Sequence, residues 1–318
     1  MDASSLYLYE LLVVCRAPEG RFSASAMRDL SRMASVFMCF PPFPGVETGR
    51  GALWGESLMW FPSPPERDRL ADGPGVQIER LKPVIEDLAG RYDKSFVISR
   101  HWSPRRDRKA EDQPGLNCGL SMRVSGDSPT SPAGMNVSLT LKDVSGMVLG
   151  DAAADYIAEY LRGMLSGLVV VNGGSYAWPT IAERELYQRR LLAALSNQNP
   201  LHSHLEPAVF SYGWLELLSP VLVERLGGLS SVKENAPVYR VHEIGTADGV
   251  ALLLQATATT GELRGGVLRE WRDYLSPLFP PLGPRWLGGR DVGPPLWITD
   301  PEIELWETWV GEDPSAGG

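Results

Sequence analysis

Cysteine is scarce in this chain: of 318 residues only Cys15, Cys39 and Cys118 carry a thiol, far apart and odd in number. That pattern offers neither a disulfide framework nor a paired-cysteine zinc site, and it fits a reducing compartment. Long apolar runs are missing too, none approaching the roughly 18 residues that cross a bilayer. The opening MDASSLYLYELLVVC has no basic leader, places Glu10 inside its apolar run and lacks a small-residue cleavage site. It therefore reads as a first strand rather than a secretion signal. Together these absences predict a cytoplasmic chain with no membrane partner.

Cationic charge is also short. Lys and Arg number 30 against 39 Asp and Glu, a net charge of −9, whereas a general phosphate-backbone binder clusters Lys and Arg to displace counterions. No nucleic-acid partner is expected. An acidic chain suits a basic protein partner, although the same balance also serves plain solubility. The motif searches are empty as well: there is no GxSxG elbow, no HExxH, no P-loop and no GxGxxG between a strand and a helix. The commonest hydrolases, NTPases, zincins and dinucleotide enzymes leave the front rank, and no fixed-period repeat suggests a solenoid.

What is present is an ordinary globular balance, 43% hydrophobic and 22% charged residues, enough to bury a core unaided. Strand patterns recur in LYLYELLVVC, ALWGESLMWF, SFVISRHW, LNCGLSMRVSG, GMNVSLTLKDV and VVVNGGSYAWP. Helical spacing recurs in SASAMRDLSRMASVFMCF, in GVQIERLKPVIEDLAGRY (divided by Pro83), in TIAERELYQRRLLAAL (capped by Thr180 and Glu183) and in GGVLREWRDYLSPL with Val267, Leu268, Trp271 and Leu275. The clearest helix starts at Asp151, read as its cap, with Ile157, Tyr160, Leu161, Met164, Leu165 and Leu168 in one stripe. VFSYGWLELLSPVLVERLGGL reads as a strand running into a short helix, and YRVHEIGTADGVALLLQATA as a hairpin turning at ADG. Hairpins and helices mix without strand-helix alternation, which predicts α+β: a mixed, largely antiparallel sheet with helices packed on it. The expected organisation is a single domain, 1–318, with 279–318 as a Pro/Gly-rich acidic C-terminal segment.

Candidate chemistry is sparse. NPLHSHLE puts His202 and His204 on one side of an extended segment with Glu206 beyond, a metal-capable spacing, but only His101 and His242 remain as further histidine ligands. A solvent-facing loop that happens to hold two histidines is the favoured reading. The three cysteines lie in apolar runs and read as small buried hydrophobes. RHWSPRRDRK, with Arg100, Trp102, Arg105, Arg106 and Arg108, reads as a solvated basic loop rather than a nucleic-acid contact. From Asp291 onward there are seven carboxylates and no Lys or Arg. In EIELWETWV, extended alternation sets Glu302, Glu304 and Trp306 on one side and Glu307 on the other, with Trp309 following. Such a segment serves either as a charge-protected edge strand or as a surface for a cationic groove. No catalytic residue, cofactor or metal is assigned.

YGWLELLSPVLVERLGG (Tyr212 to Gly228), the hairpin that follows it and the helix VLREWRDYLSPL resemble the bacterial immunity protein 52 family and related type VI immunity families. Ordinary folding also accounts for the joint: Gly213 permits a close approach, Trp214 fills core, and Gly227 or Gly228 supplies a left-handed helix end. What the resemblance implies is an α+β antitoxin, not an enzyme, that neutralises a cognate secreted effector toxin of nuclease type. The missing secretion signal and the acidic balance agree with that reading. The expected contact residues are Glu302, Glu304, Trp306, Glu307 and Trp309. The alternative is a metal-assisted enzyme using His202, His204 and a carboxylate, and a third possibility is a structural or scaffolding module.

Overall fold

The alternating runs become strands. In the computed structural model, which describes residues 8–16, 40–46, 54–61, 96–104, 117–125, 134–142, 149–178, 207–209, 213–263 and 265–278, they are β1 (Leu8–Arg16), β2 (Trp54–Phe61), β3 (Phe96–Pro104), β4 (Asn117–Ser125), β5 (Gly134–Lys142), β6 (Val169–Trp178), β7 (Leu215–Leu218), β8 (Arg240–Thr246) and β9 (Gly249–Gln255). They form one sheet in the order β2-β3-β4-β5-β1-β6-β7-β9-β8. Every neighbouring pair is antiparallel. The expected α+β class with a largely antiparallel sheet is what the described residues show.

β1 lies at the centre between β5 and β6, so its Leu11, Val13 and Cys15 are buried. From it, a row of Cα partners runs outward: Val13 to Gly173 on β6, Leu217 on β7, Leu253 on β9 and His242 on β8. Partnered residues share a face of a pleated sheet, so this row is one continuous inner surface. It narrows at a single seam, where β6 and β7 pair over Gly173↔Leu217 and Gly174↔Glu216. A Cβ on Gly173 would sit 2.9 Å from Leu217 Cβ, so glycine is what lets the two strands close here.

Helix α1 (Asp151–Leu165) covers that face, burying Ala154, Ile157, Ala158, Tyr160, Leu161, Met164 and Leu165, which includes every helical residue of the expected stripe. The cap differs from expectation. Gly150 is the N-cap and its carbonyl takes the Ala153 and Ala154 N–H groups, while Asp151 is the first helical residue and bonds elsewhere. On the far flank of α1, residues 40–46 lie against Tyr156 and Tyr160: Phe40 and Phe43 meet these rings edge-on at 4.9 to 5.2 Å, and the Tyr156 hydroxyl donates to Pro41 O at 2.8 Å. The same segment explains a correction. Arg100 and Trp102 belong to β3, as the strand pattern in SFVISRHW predicts, but they are buried, Arg100 at 9% exposure, and so do not belong to the solvated basic loop in which RHWSPRRDRK also counted them. The Arg100 guanidinium donates to Phe40 O and lies 4.7 Å over the Trp102 ring, so neighbouring aromatic and carbonyl groups replace water around it.

The opposite face takes the strand-to-helix joint. β7 leads through Ser219 into α2 (Pro220–Arg225), with Pro at the first turn, where its missing N–H costs nothing. Gly227 and Gly228 are both left-handed, at φ 92° and 89°, ending α2 and at once starting α3 (Gly228–Asn235), a helix the sequence reading did not anticipate. α4 (Gly265–Leu275) buries Trp271 and Leu275, but Val267 is 43% exposed, contrary to its expected place on the apolar face. Two buried indoles pin the joint: Trp214 Nε1 donates to Thr257 O at 2.8 Å and Trp271 Nε1 to Gly213 O at 3.1 Å. Both bonds meet main-chain carbonyls, as a buried indole N–H requires. The helices expected in SASAMRDLSRMASVFMCF (apart from Phe40), GVQIERLKPVIEDLAGRY and TIAERELYQRRLLAAL lie outside the described residues.

Candidate functional site

The polar stripe of α1 falls along β8, the outer strand of the sheet among the described residues. Asp151, Asp155 and Glu159 recur at i, i+4 and i+8, so they line one side of the helix, with Arg162 completing it. The hairpin brings up the complement. Arg240 Nη1 lies 3.0 Å from Asp155 Oδ1, Arg162 pairs with Glu159, and Arg162 Nε donates to Glu243 O at 3.1 Å. Lys233 of α3 pairs with the Glu243 carboxylate. Arg240 and His242 meet α1 while Glu243 meets α3, and alternate strand residues point to opposite faces, so α1 and α3 sandwich β8.

At the upper end of this face sits Tyr239, 54% exposed. Its hydroxyl donates to Asp151 Oδ2 at 3.2 Å, and the nearby carboxylate raises its pKa above the ordinary phenol value. Beneath it, the buried Gln255 amide donates from Nε2 to Asp151 Oδ1, Thr257 O and Ala258 O at 3.1 to 3.2 Å. The 3₁₀ turn Thr260–Glu262 is tied to the start of α1 by a reciprocal pair: Leu149 N donates to Thr260 Oγ1 and Thr260 N to Leu149 O. The tyrosine is therefore held from below by fixed partners rather than left to rotate freely.

His242 closes the inner row under α1 at 5% exposure. Its Nδ1 lies 4.0 Å from Asp155 Oδ1, and its Nε2 has no hydrogen-bond partner. Burial lowers its pKa, Arg240 adds to that, and Asp155 opposes it. The ring is thus held toward the neutral form. Burial also pushes the Cys15 thiol far up, an inert small hydrophobe as the sequence predicts.

The sequence-predicted contact residues Glu302, Glu304, Trp306, Glu307 and Trp309 lie outside the described residues, as do His202, His204 and Glu206. Of the remaining histidines, His101 is on β3 and His242 on β8, at opposite ends of the sheet, so the two do not converge. Among the described residues no three His, Cys, Asp or Glu come together as a metal cluster, and no helix is long and apolar enough to cross a membrane. The face on α1 and β8 escaped the sequence reading, although one signal for it was there: the 4-residue recurrence of carboxylates opposite the apolar stripe of α1.

No protein-family model matches the sequence, the immunity families included, and no curated protein matches it. A solved structure of a Pseudomonas aeruginosa type VI secretion system protein is similar at 12% identity and a TM-score of 0.39, over 98% of this chain and 83% of that one. So loose a likeness carries no argument about fold or function.

Proposed function

We propose that the chain is an immunity protein: it binds a cognate secreted effector toxin of nuclease type and neutralises it by occluding the active site or substrate groove, with no bond-making of its own. The observation that carries this reading is the face along α1 and β8. Tyrosine and arginine dominate the energetic centres of protein interfaces, and here Tyr239, Arg162 and Arg240 are exposed or half-buried yet each braced by fixed partners. A surface ordered before encounter loses less side-chain entropy on binding.

Charge points the same way. Four carboxylates border the face, Asp151, Asp155, Glu159 and Glu262, against two cations, Arg162 and Arg240, while Glu243 and Lys233 pair with each other on the α3 side of β8. This local excess follows the net charge of −9. It suits a basic protein such as a nuclease domain, whose groove is built for phosphates. The face is formed in part by the hairpin that follows Tyr212 to Gly228.

The test is to express the product of the neighbouring open reading frame with and without this chain, following growth and nucleic-acid integrity. Rescue of both by the chain is the expected result. Loss of nucleic acid at the same rate with the chain present refutes the reading.

A further inference from the structure

The outer edge of β8 carries main-chain groups that its own sheet does not use. Ala256 N donates to the carbonyl of Trp214, the residue that leads into β7, so by alternation residues 255, 253 and 251 of β9 face β8. Their partners Arg240, His242 and Ile244 face inward, and Val241, Glu243 and Gly245 turn their N–H and C=O groups outward. Arg162 marks this direction: its Nε donates to Glu243 O from outside the ladder. Among the described residues no other hydrogen bond reaches the outward groups of Val241, Glu243 and Gly245. Past Gly245 the edge closes, because Ala247 N donates to Leu168 O.

The side chains beside this edge leave room. An added Cβ on Gly245 would meet nothing within 4 Å. Its partner across the ladder is Val250, an apolar residue left 37% exposed on the same face. Glu243 comes two residues earlier on that face, and Tyr239 stands exposed at the start of the strand.

We infer that β8 accepts an extended segment of a basic partner protein as a tenth strand, whose main chain bonds Val241, Glu243 and Gly245, with an apolar side chain set over Gly245 and Val250. The inference deepens the immunity reading and rests on it. Main-chain bonding supplies affinity in such strand addition, and the side-chain positions supply selection. Charge selects a basic occupant: each of the three neighbouring cations is already engaged with a carboxylate or a carbonyl, and the carboxylates outnumber them. A second copy of this chain fits poorly, since two β8 strands related by a two-fold at Glu243 would oppose Glu243 to itself. In the free chain Arg162 covers the central carbonyl, and on docking an N–H of the incoming strand takes that place.

The test uses the full chain and a catalytically disabled product of the neighbouring open reading frame. Val241→Pro removes an outward N–H without touching the β8–β9 ladder, a position where edge strands tolerate proline. It should weaken binding by about tenfold or more, the worth of one or two main-chain hydrogen bonds. Val241→Thr keeps the N–H and should bind within about threefold of the unmodified chain. Amide exchange on the unmodified complex gives a readout independent of folding: the Val241, Glu243 and Gly245 amides should become protected. If the unmodified chain binds but those amides exchange as in the free chain and Val241→Pro binds equally well, the strand-addition inference falls while the immunity reading stands. If the unmodified chain does not bind that product, both fall. Protection that appears in the chain alone as concentration rises identifies a second copy as the occupant and overturns the basic-partner assignment.

Discussion

Gly173→Ala tests the seam that joins the two halves of the sheet. The added methyl would lie 2.9 Å from Leu217 Cβ and 3.0 Å from Leu217 Cδ2, closer than real carbon contacts allow. Leu217 cannot yield easily, because it, Val13 and Leu253 are fully buried in the same row. Overpacking of a filled core costs about 1–3 kcal/mol. Replacing glycine by alanine also stiffens the unfolded chain, which returns about 0.4–1 kcal/mol. The expected net loss is roughly 0.5–2 kcal/mol, read as a lower urea midpoint at unchanged slope. Leu217→Ala alone should cost about 2–5 kcal/mol. The double variant should lose less than the sum by about 0.5 kcal/mol or more, since truncating Leu217 removes two of the three crowding atoms. Gly245→Ala is the control: nothing lies within 4 Å of its added methyl, so stability should stay within about 0.5 kcal/mol. If Gly173→Ala behaves like Gly245→Ala and the cycle is additive, the close-packed seam is wrong.

Folding stability should fall in mild acid. The folded chain lowers the His242 pKa, so between that value and the unfolded value near 6.5 the unfolded state holds the extra proton. Stability is then full above the unfolded value and drops as pH descends through the folded one. His242→Gln should flatten that slope in urea titrations between about pH 7 and pH 5. Trp214→Phe should cost about 0.5–1.5 kcal/mol from the lost hydrogen bond, because the buried Thr257 carbonyl gives up the indole donor and keeps Gln255 Nε2, and Tyr at the same site should not rescue it. Cys15 should resist alkylation in the native chain and react on unfolding, and rapid native labelling would contradict its burial. Association with a basic partner should slow as salt rises from about 0.01 to 0.5 M, and a rate indifferent to ionic strength would dismiss electrostatic steering.

Local patterns carried most of the secondary structure. The alternation in RVHEIGT and GVALLLQ around ADG, the apolar stripe of α1 and the Gly-Gly end of α2 are properties of contiguous residues, so sequence alone determined them. α3 was missed because GLSSVKEN buries one side chain, Val232, and has too short an apolar face to register as periodic. The strand through Arg100 and Trp102 was legible in SFVISRHW, but their burial was not: charge and aromaticity suit a surface loop, and the contact with Phe40, 60 residues away, helps make the pair a core element.

The candidate surface belonged to tertiary structure from the outset. Asp155 and Arg240, or Arg162 and the Glu243 carbonyl, are separated by some eighty residues, and no spacing rule connects them. They meet because β8 is the outer strand of the sheet among the described residues and α1, anchored by its apolar stripe, packs along it with its charged side toward that edge. Sequence determined that the chain would be acidic, apolar enough to fold and built of hairpins and helices. Packing decided which of its charges would stand together and which strand would keep unpaired main-chain groups, since both depend on strand order, which no local pattern encodes.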